Sequence, residues 1–193
     1  HMLVITNNGK PQNGWLSIED FEAIKSVDND TTGLWFFNSS KESGASQPHR
    51  HFQLLPRHSY ESVCPRDQWF CSLLNNNQKV VSKISHCISI RHRDKDKEAF
   101  SNELYSSYET MVNEMSLGDI DLLDKPLKPY NLLITSDWIA LITRKTHTSK
   151  GFNINALGFA GYFLGTKRSN ISNLIKYGPE EILKDVIEQV NKD

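Results

Sequence analysis

Residues 43–56 read "SGASQPHRHFQLLP". In an extended strand alternate side chains share a face. His49, His51, Gln53 and Leu55 therefore point one way, and Arg50, Phe52 and Leu54 the other. Phe52 and Leu54 mark the core side. The opposite face aligns two imidazoles and a carboxamide, which stability alone does not call for. Pro48 suits a strand's first residue, where no ladder donor is needed. Just upstream, Ser43, Gly44, Ala45 and Ser46 combine closely spaced backbone N–H groups with hydroxyls and little bulk. Such a loop can wrap an anion as a nest.

Three chemistries fit this spacing, and the spacing leaves all three open. The histidines can be the solvated polar face of an edge strand. They can be a zinc pair, but zinc wants a third ligand of His, Asp or Glu type. Gln53 is a poor one, and His58 and His147 have no matching spacing, so no metal site is expected. Or one imidazole attacks phosphorus while a hydrogen bond holds its other nitrogen.

The rest of the chain narrows the class. Its 193 residues suffice for one domain with a sizeable core, spanning 1–193. Apolar content of 38% and charged content of 23% are those of an ordinary soluble protein. A net charge of -1 supplies no field toward nucleic acid or an anionic membrane. No apolar run is long enough to span a bilayer, and no signal-peptide pattern opens the chain. Cys64, Cys71 and Cys87 are odd in number and form no C-x-x-C pair. They imply small half-buried residues in a reducing, cytoplasmic setting. "HMLVIT" opens as a strand from its first residue; His1-Met2 has the form of a tag remnant. An upstream N-terminal segment, or some loop residues, are expected to be lacking.

Element signals follow in order. Leu3–Thr6 is a strand. Ser17-Ile18-Glu19-Asp20 starts a helix with Phe21 and Ile24 on its apolar stripe, and Val27–Thr32 is a loop. Gly33–Asn38 is a buried strand. Val80–Ile90 alternates as a further strand. Phe100, Leu104, Tyr108, Met111 and Met115 predict an amphipathic helix from Asp96 to Met115, with the Met and Tyr stripe as core. "YNLLITSDWIALITR" is a hairpin turning at Ser136-Asp137. In "INALGFAGYFLGT" three glycines suggest close backbone packing before a last short strand. Asn170–Tyr177 and Glu180–Val190 are helices separated by Gly178-Pro179. The sum is α+β, an antiparallel sheet with helices packed against it.

The stretch "SGASQPHRHFQLLP" resembles the signature of the diadenosine tetraphosphate phosphorylases, also called ATP adenylyltransferases. They belong to the histidine-triad superfamily, in the branch of galactose-1-phosphate uridylyltransferase, where His-x-His-x-Gln replaces His-x-His-x-His. "HMLVIT" followed by Gln12, and "WFFNSS" with Asn38, resemble the family's upstream strands. "KPYNLLITSDWIALITR" and "FNINALGFAGYFL" resemble two downstream blocks in the family's order. The resemblance spans most of residues 1–165 and is weakest over 57–127. Family members are longer, with an N-terminal segment that helps build the nucleotide pocket, and the stretch from Asp20 to Gly33 is short for the family.

What the resemblance implies is concrete. The fold is histidine-triad-like. His51 is the nucleophile toward the α-phosphorus of a dinucleoside polyphosphate, and phosphate resolves the nucleotidyl-histidine, so that diadenosine tetraphosphate yields ATP and ADP. Gln53 donates to a non-bridging oxygen, and His49 orients or flanks the nucleophile. Ser43, Gly44, Ala45, Ser46 and Gln47 hold neighbouring phosphates. Asn38 matches a position near the nucleotide. Asn155 and Gly158 lie in the other block near the site, with a hydrogen-bonded turn asparagine and a packing glycine as equal alternatives. Ligands are then the dinucleoside polyphosphate, ATP, ADP, AMP or phosphate, with neither nucleic acid nor membrane. No cofactor is tightly bound, and Mg accompanies the substrate phosphates. A histidine-triad hydrolase, a sugar-nucleotide phosphorylase and a non-catalytic nucleotide-binding protein stay open as alternatives. Oligomeric state is not legible.

Overall fold

The apolar run Gly33–Asn38 is buried at every residue because both of its faces are covered. Leu34 and Phe36 enter one core, while Trp35 and Phe37 enter another. In the computed structural model, which describes residues 1–58, 60–75, 84–93, 100–167 and 169–187, this run is β2. It joins β1 (Met2–Ile5), β3 (His51–Pro56), β4 (Ile88–His92), β5 (Tyr130–Ile134) and β6 (Trp138–Thr143) in one antiparallel sheet. The strand order is β1-β3-β2-β5-β6-β4. β3 therefore runs between two partners, pairing Ile5 with His51 on one side and Phe36 with Gln53 on the other. Of the three readings of the histidines, the solvated face of an edge strand does not fit this order; the described edges are β1 and β4.

Helices cover both faces. α1 (Ile18–Asp28) and α3 (Phe100–Glu114) pack Phe21, Ile24, Leu104, Tyr108 and Met111 against Trp35, Phe37, Phe52 and Leu54. α2 (Asp67–Leu74), α4 (Ala156–Ala160) and α5 (Ile171–Lys184) bring Phe70, Phe159 and Leu183 against Leu34, Phe36 and Leu133. α1 begins at Ser17 with a capping box, in which the Asp20 carboxylate accepts the Ser17 N–H at 2.9 Å. The same carboxylate accepts from Arg50 at 2.8 Å. Both side chains are almost wholly buried, so removing one would strand the other at a cost of about 3–5 kcal/mol.

Several element expectations shift. α1 continues to Asp28, so the loop expected from Val27 starts two residues later. The strand expected over Val80–Ile90 is set back: residues 85–87 form a 3-10 turn and β4 runs from Ile88 to His92, opposite Ile142 to Trp138. Residues 80–83 of that expectation, 96–99 of the α3 expectation and 188–190 of the last lie outside the described residues. The largest change is in "INALGFAGYFLGT", which forms α4 rather than leading to a strand. Asn155 accepts the Leu157 N–H as its N-cap, and Gly161 closes the helix at φ 104°. A short apolar run does not reveal its own period. The hairpin and the Gly178 kink in α5, at φ 75°, fall where expected. Among the described residues no helix is long and apolar enough to cross a membrane.

Candidate active site

β3 starts at His51, and two side chains set it there. Gln12, buried at the sheet margin, accepts the His51 N–H through Oε1 at 2.8 Å and donates to the Asn38 carbonyl at 2.7 Å. The His51 imidazole then turns back on its own chain, with Nδ1 2.8 Å from the His49 carbonyl oxygen. A carbonyl oxygen only accepts, so Nδ1 carries the proton and, in the neutral ring, Nε2 keeps its lone pair. His49 lies outside β3 and holds an isolated bridge to Pro11. Its ring donates to the Thr6 carbonyl at 2.8 Å, so the His49 carbonyl does the orienting and its side chain anchors the end of β1. Gln53 accepts from His1 through Oε1 at 3.0 Å, which leaves its amide hydrogens to donate.

The small-residue loop tightens into a 3-10 turn, Lys41–Ser43, closed by Gly44 at φ 96°. A Cβ on Gly44 would lie 2.6 Å from the Asn155 Cβ, so only glycine allows the loop to rest on that segment. Much of the expected nest is occupied from within. The N–H groups of Ser43, Gly44 and Ala45 donate to the carbonyls of Ser40 and Lys41. The Ser43 hydroxyl, fully buried, donates to the Ser40 carbonyl and accepts the Ser40 N–H, both at 2.9 Å. Ser43 thus braces the loop from within. Gly44, Ala45, Ser46 and Gln47 do line a cleft of about 870 Å³, together with His147 and Asn155. His51 is not on this lining. It is 6% exposed, and its N–H is held by Gln12, which is on the lining.

Burial defines the surroundings of two further residues. Asn38 Oδ1 accepts from Asn131 Nδ2 at 2.7 Å and from the Ala156 N–H at 2.9 Å. That carboxamide joins β2 to β5 and α4 from inside. Gly158 is buried in α4, where an added Cβ would meet Ile154 Cγ2 at 2.8 Å; it is the packing glycine. Asn155 does both jobs, capping α4 at 3.0 Å while it lines the cleft.

Three residues escaped sequence reasoning. His147, set aside for lack of metal spacing, is on the cleft lining. Beside it the Ser40 hydroxyl holds the Glu42 carboxyl below the usual carboxylate range, with the His147 charge a lesser cause. Asn131 and Arg144 form the floor behind the loop: both are fully buried and hydrogen-bond each other. An arginine ending an apolar strand was the only signal, and it is equally compatible with a solvated strand end. Burial pushes the Cys64 thiol up to about 12, far from thiolate reactivity.

Two family models match the chain. One described as Ap4A phosphorylase N-terminal domain covers residues 1–67, and one described as ATP adenylyltransferase C-terminal domain covers residues 64–188. Among curated proteins of Saccharomyces cerevisiae, Protein APA1 is 24% identical over 205 residues, spanning 97% of this chain and 63% of that protein. Diadenosine 5',5'''-P1,P4-tetraphosphate phosphorylase 2 is 24% identical over 198 residues, spanning 90% and 61%. The chain thus spans less than two thirds of the length of these relatives. The crystal structure of yeast Ap4A phosphorylase Apa2 shares the fold, with a TM-score of 0.74 at 20% identity over 99% of this chain and 69% of that one. The Apa2 complex with Ap4A gives 0.72 at 20% identity over 97% and 68%.

Proposed function

Because this chain belongs to the Ap4A phosphorylase (ATP adenylyltransferase) family, we propose that it cleaves diadenosine tetraphosphate with inorganic phosphate to ATP and ADP. The observation that carries the proposal is the His51 ring, oriented by its 2.8 Å bond to the His49 carbonyl beside a cleft edged by small residues. Nε2 attacks the α-phosphorus, and the bond from that phosphorus to the bridging oxygen breaks, releasing ATP. A phosphate oxygen then attacks the same phosphorus, breaking the N–P bond, releasing ADP and restoring the imidazole. Splitting the transfer lets one cradle serve both displacements.

Charge gathers on the non-bridging oxygens, so fixed donors are the main stabilisers. The Gln53 amide is placed for this, in line with His51 on β3. Ser46 and Gln47, whose N–H groups follow the closed turn, and Asn155 face the remaining phosphates or the nucleoside. The Apa2 structures hold AMP and Ap4A, which supports nucleotides as ligands here. In this proposal the chain folds as one domain, since both family-model stretches contribute strands to one sheet. It works in the cytoplasm, where its three free cysteines stay reduced. It holds no tightly bound cofactor, and Mg travels with the substrate phosphates.

Incubation with diadenosine tetraphosphate, with and without phosphate, tests this by chromatography of the products. ATP plus ADP should form only with phosphate. AMP release without phosphate would make the protein a hydrolase, and tight binding without turnover would make it a nucleotide-binding protein.

A further inference from the structure

We propose that Arg144 is the positioning residue of the cleft, a buried cation that ties its three walls together and gives them a positive bias toward polyphosphate. This rests on the cleft being the polyphosphate site. Arg144 follows β6 directly, forms an isolated bridge to Ile187, and is fully buried. Nη1 donates to the Ser43 carbonyl at 3.3 Å and to Asn131 Oδ1. Nη2 donates to the carbonyls of Thr146 at 2.8 Å and Ile154 at 2.9 Å, and Nε to Val186 at 3.1 Å. The acceptors Ser43, Thr146 and Ile154 each precede a cleft-lining residue: Gly44, His147 and Asn155. One rigid fork thus sets the spacing of three segments that are more than 100 residues apart at the extremes.

The charge of Arg144 acts as well as its geometry. Each partner is a neutral oxygen, and burial alone displaces the guanidinium, pushing it down to about 9, so it remains a cation at neutral pH. The Phe159 ring centre also lies 5.1 Å from the guanidinium carbon. Among the described residues its hydrogen-bond partners are neutral dipoles, so the buried charge keeps a field that reaches the nearby lining with little screening. Filling this volume with an apolar side chain would avoid the desolvation penalty, so packing alone does not account for an arginine here.

The experiment compares wild type with Arg144→Lys and Arg144→Gln. Titration calorimetry uses pyrophosphate as charged probe and adenosine as uncharged probe, and hydrogen exchange follows the amides of Ala45, Ile154 and Ala156. In both variants these three amides should lose protection together, because neither replacement spans five acceptors. Arg144→Gln should bind pyrophosphate about 10-fold more weakly than Arg144→Lys, with no such gap for adenosine. Equal pyrophosphate affinity in the two variants, or unchanged protection, would overturn the proposal. If Arg144→Gln does not fold, Arg144→Lys decides: pyrophosphate binding kept while the three amides open supports it, and binding lost in a folded protein overturns it. Wild type that binds pyrophosphate but releases no ATP from diadenosine tetraphosphate sinks the phosphorylase assignment and spares this one. Wild type that binds no pyrophosphate sinks this one.

Discussion

The Nδ1 atom of His51 lies 2.8 Å from the carbonyl oxygen of His49, two residues upstream on the same chain. A backbone acceptor cannot be removed by mutating the His49 side chain, so the two histidines separate experimentally. His51→Ala should abolish turnover, since a positioned nucleophile has no substitute. His49→Ala keeps the carbonyl and loses only the anchor to Thr6, so it should retain measurable activity. Quenching with labelled diadenosine tetraphosphate in the absence of phosphate, then mapping the acid-labile label, should place it on His51. Label on His49 would reverse the assignment.

Gln53 should act on rate more than on affinity. Loss of one preformed donor to a charged transition state costs on the order of 10²–10³-fold in kcat, so Gln53→Ala should fall in that range. Steady-state kinetics with an unchanged kcat and a raised KM would assign Gln53 to ground-state binding instead.

Gly44 should tolerate no side chain. Its φ of 96° is left-handed, and its Cα approaches Asn155 too closely for a Cβ. Gly44→Ala should cost roughly 1–2 kcal/mol from the backbone alone and weaken ligand binding by lifting the loop. Gly165, with nothing within 4 Å of an added Cβ, is the control whose alanine variant should melt like wild type.

Alkaline pH should unfold the protein selectively. Burial raises the Cys64 thiol from 9.0 to about 12, and raises the buried Tyr108 and Tyr130 hydroxyls above 10.0. Above pH 9 the unfolded chain releases these protons while the folded chain keeps them. The stability these groups contribute is therefore fully present below that value and falls as pH rises, opposed in part by Arg144, whose lowered value acts the other way. Urea midpoints at pH 8 and 10.5 should show the drop, and Cys64→Ala should show a smaller one. Equal drops would remove Cys64 as a cause.

Metal should be absent from the chemistry of the protein itself. Among the described residues no cluster of three or more His, Cys, Asp or Glu side chains could hold a metal ion. Elemental analysis should find no stoichiometric zinc. One zinc per chain that disappears in His49→Ala would refute this.

Local pattern carried a good deal. The strand pairs 33–38 and 130–143, the capped start of α1, the Met and Tyr stripe of α3 and the alternation of His51, Gln53 and Leu55 against Phe52 and Leu54 all follow from periods of two or 3.6 residues. Each is set by neighbours in the chain, so each is legible there.

Tertiary contact decided the rest. That β3 lies inside the sheet depends on β1 and β2 meeting it from opposite sides, which no property of residues 51–56 announces. The resemblance sets Ser43 and Asn38 near the phosphates and the nucleotide, and nothing local shows that their oxygens are taken up by the Ser40 turn and by Asn131 and α4. Arg144 reads as a solvated strand end until Ser43, Ile154 and Val186 close over it. A buried polar group such as the Arg144 guanidinium is fixed largely by distant backbone, and its partners 10 to 101 residues away leave no periodic trace. The histidine strand was written locally, whereas the floor beneath the cleft exists only once the chain has folded.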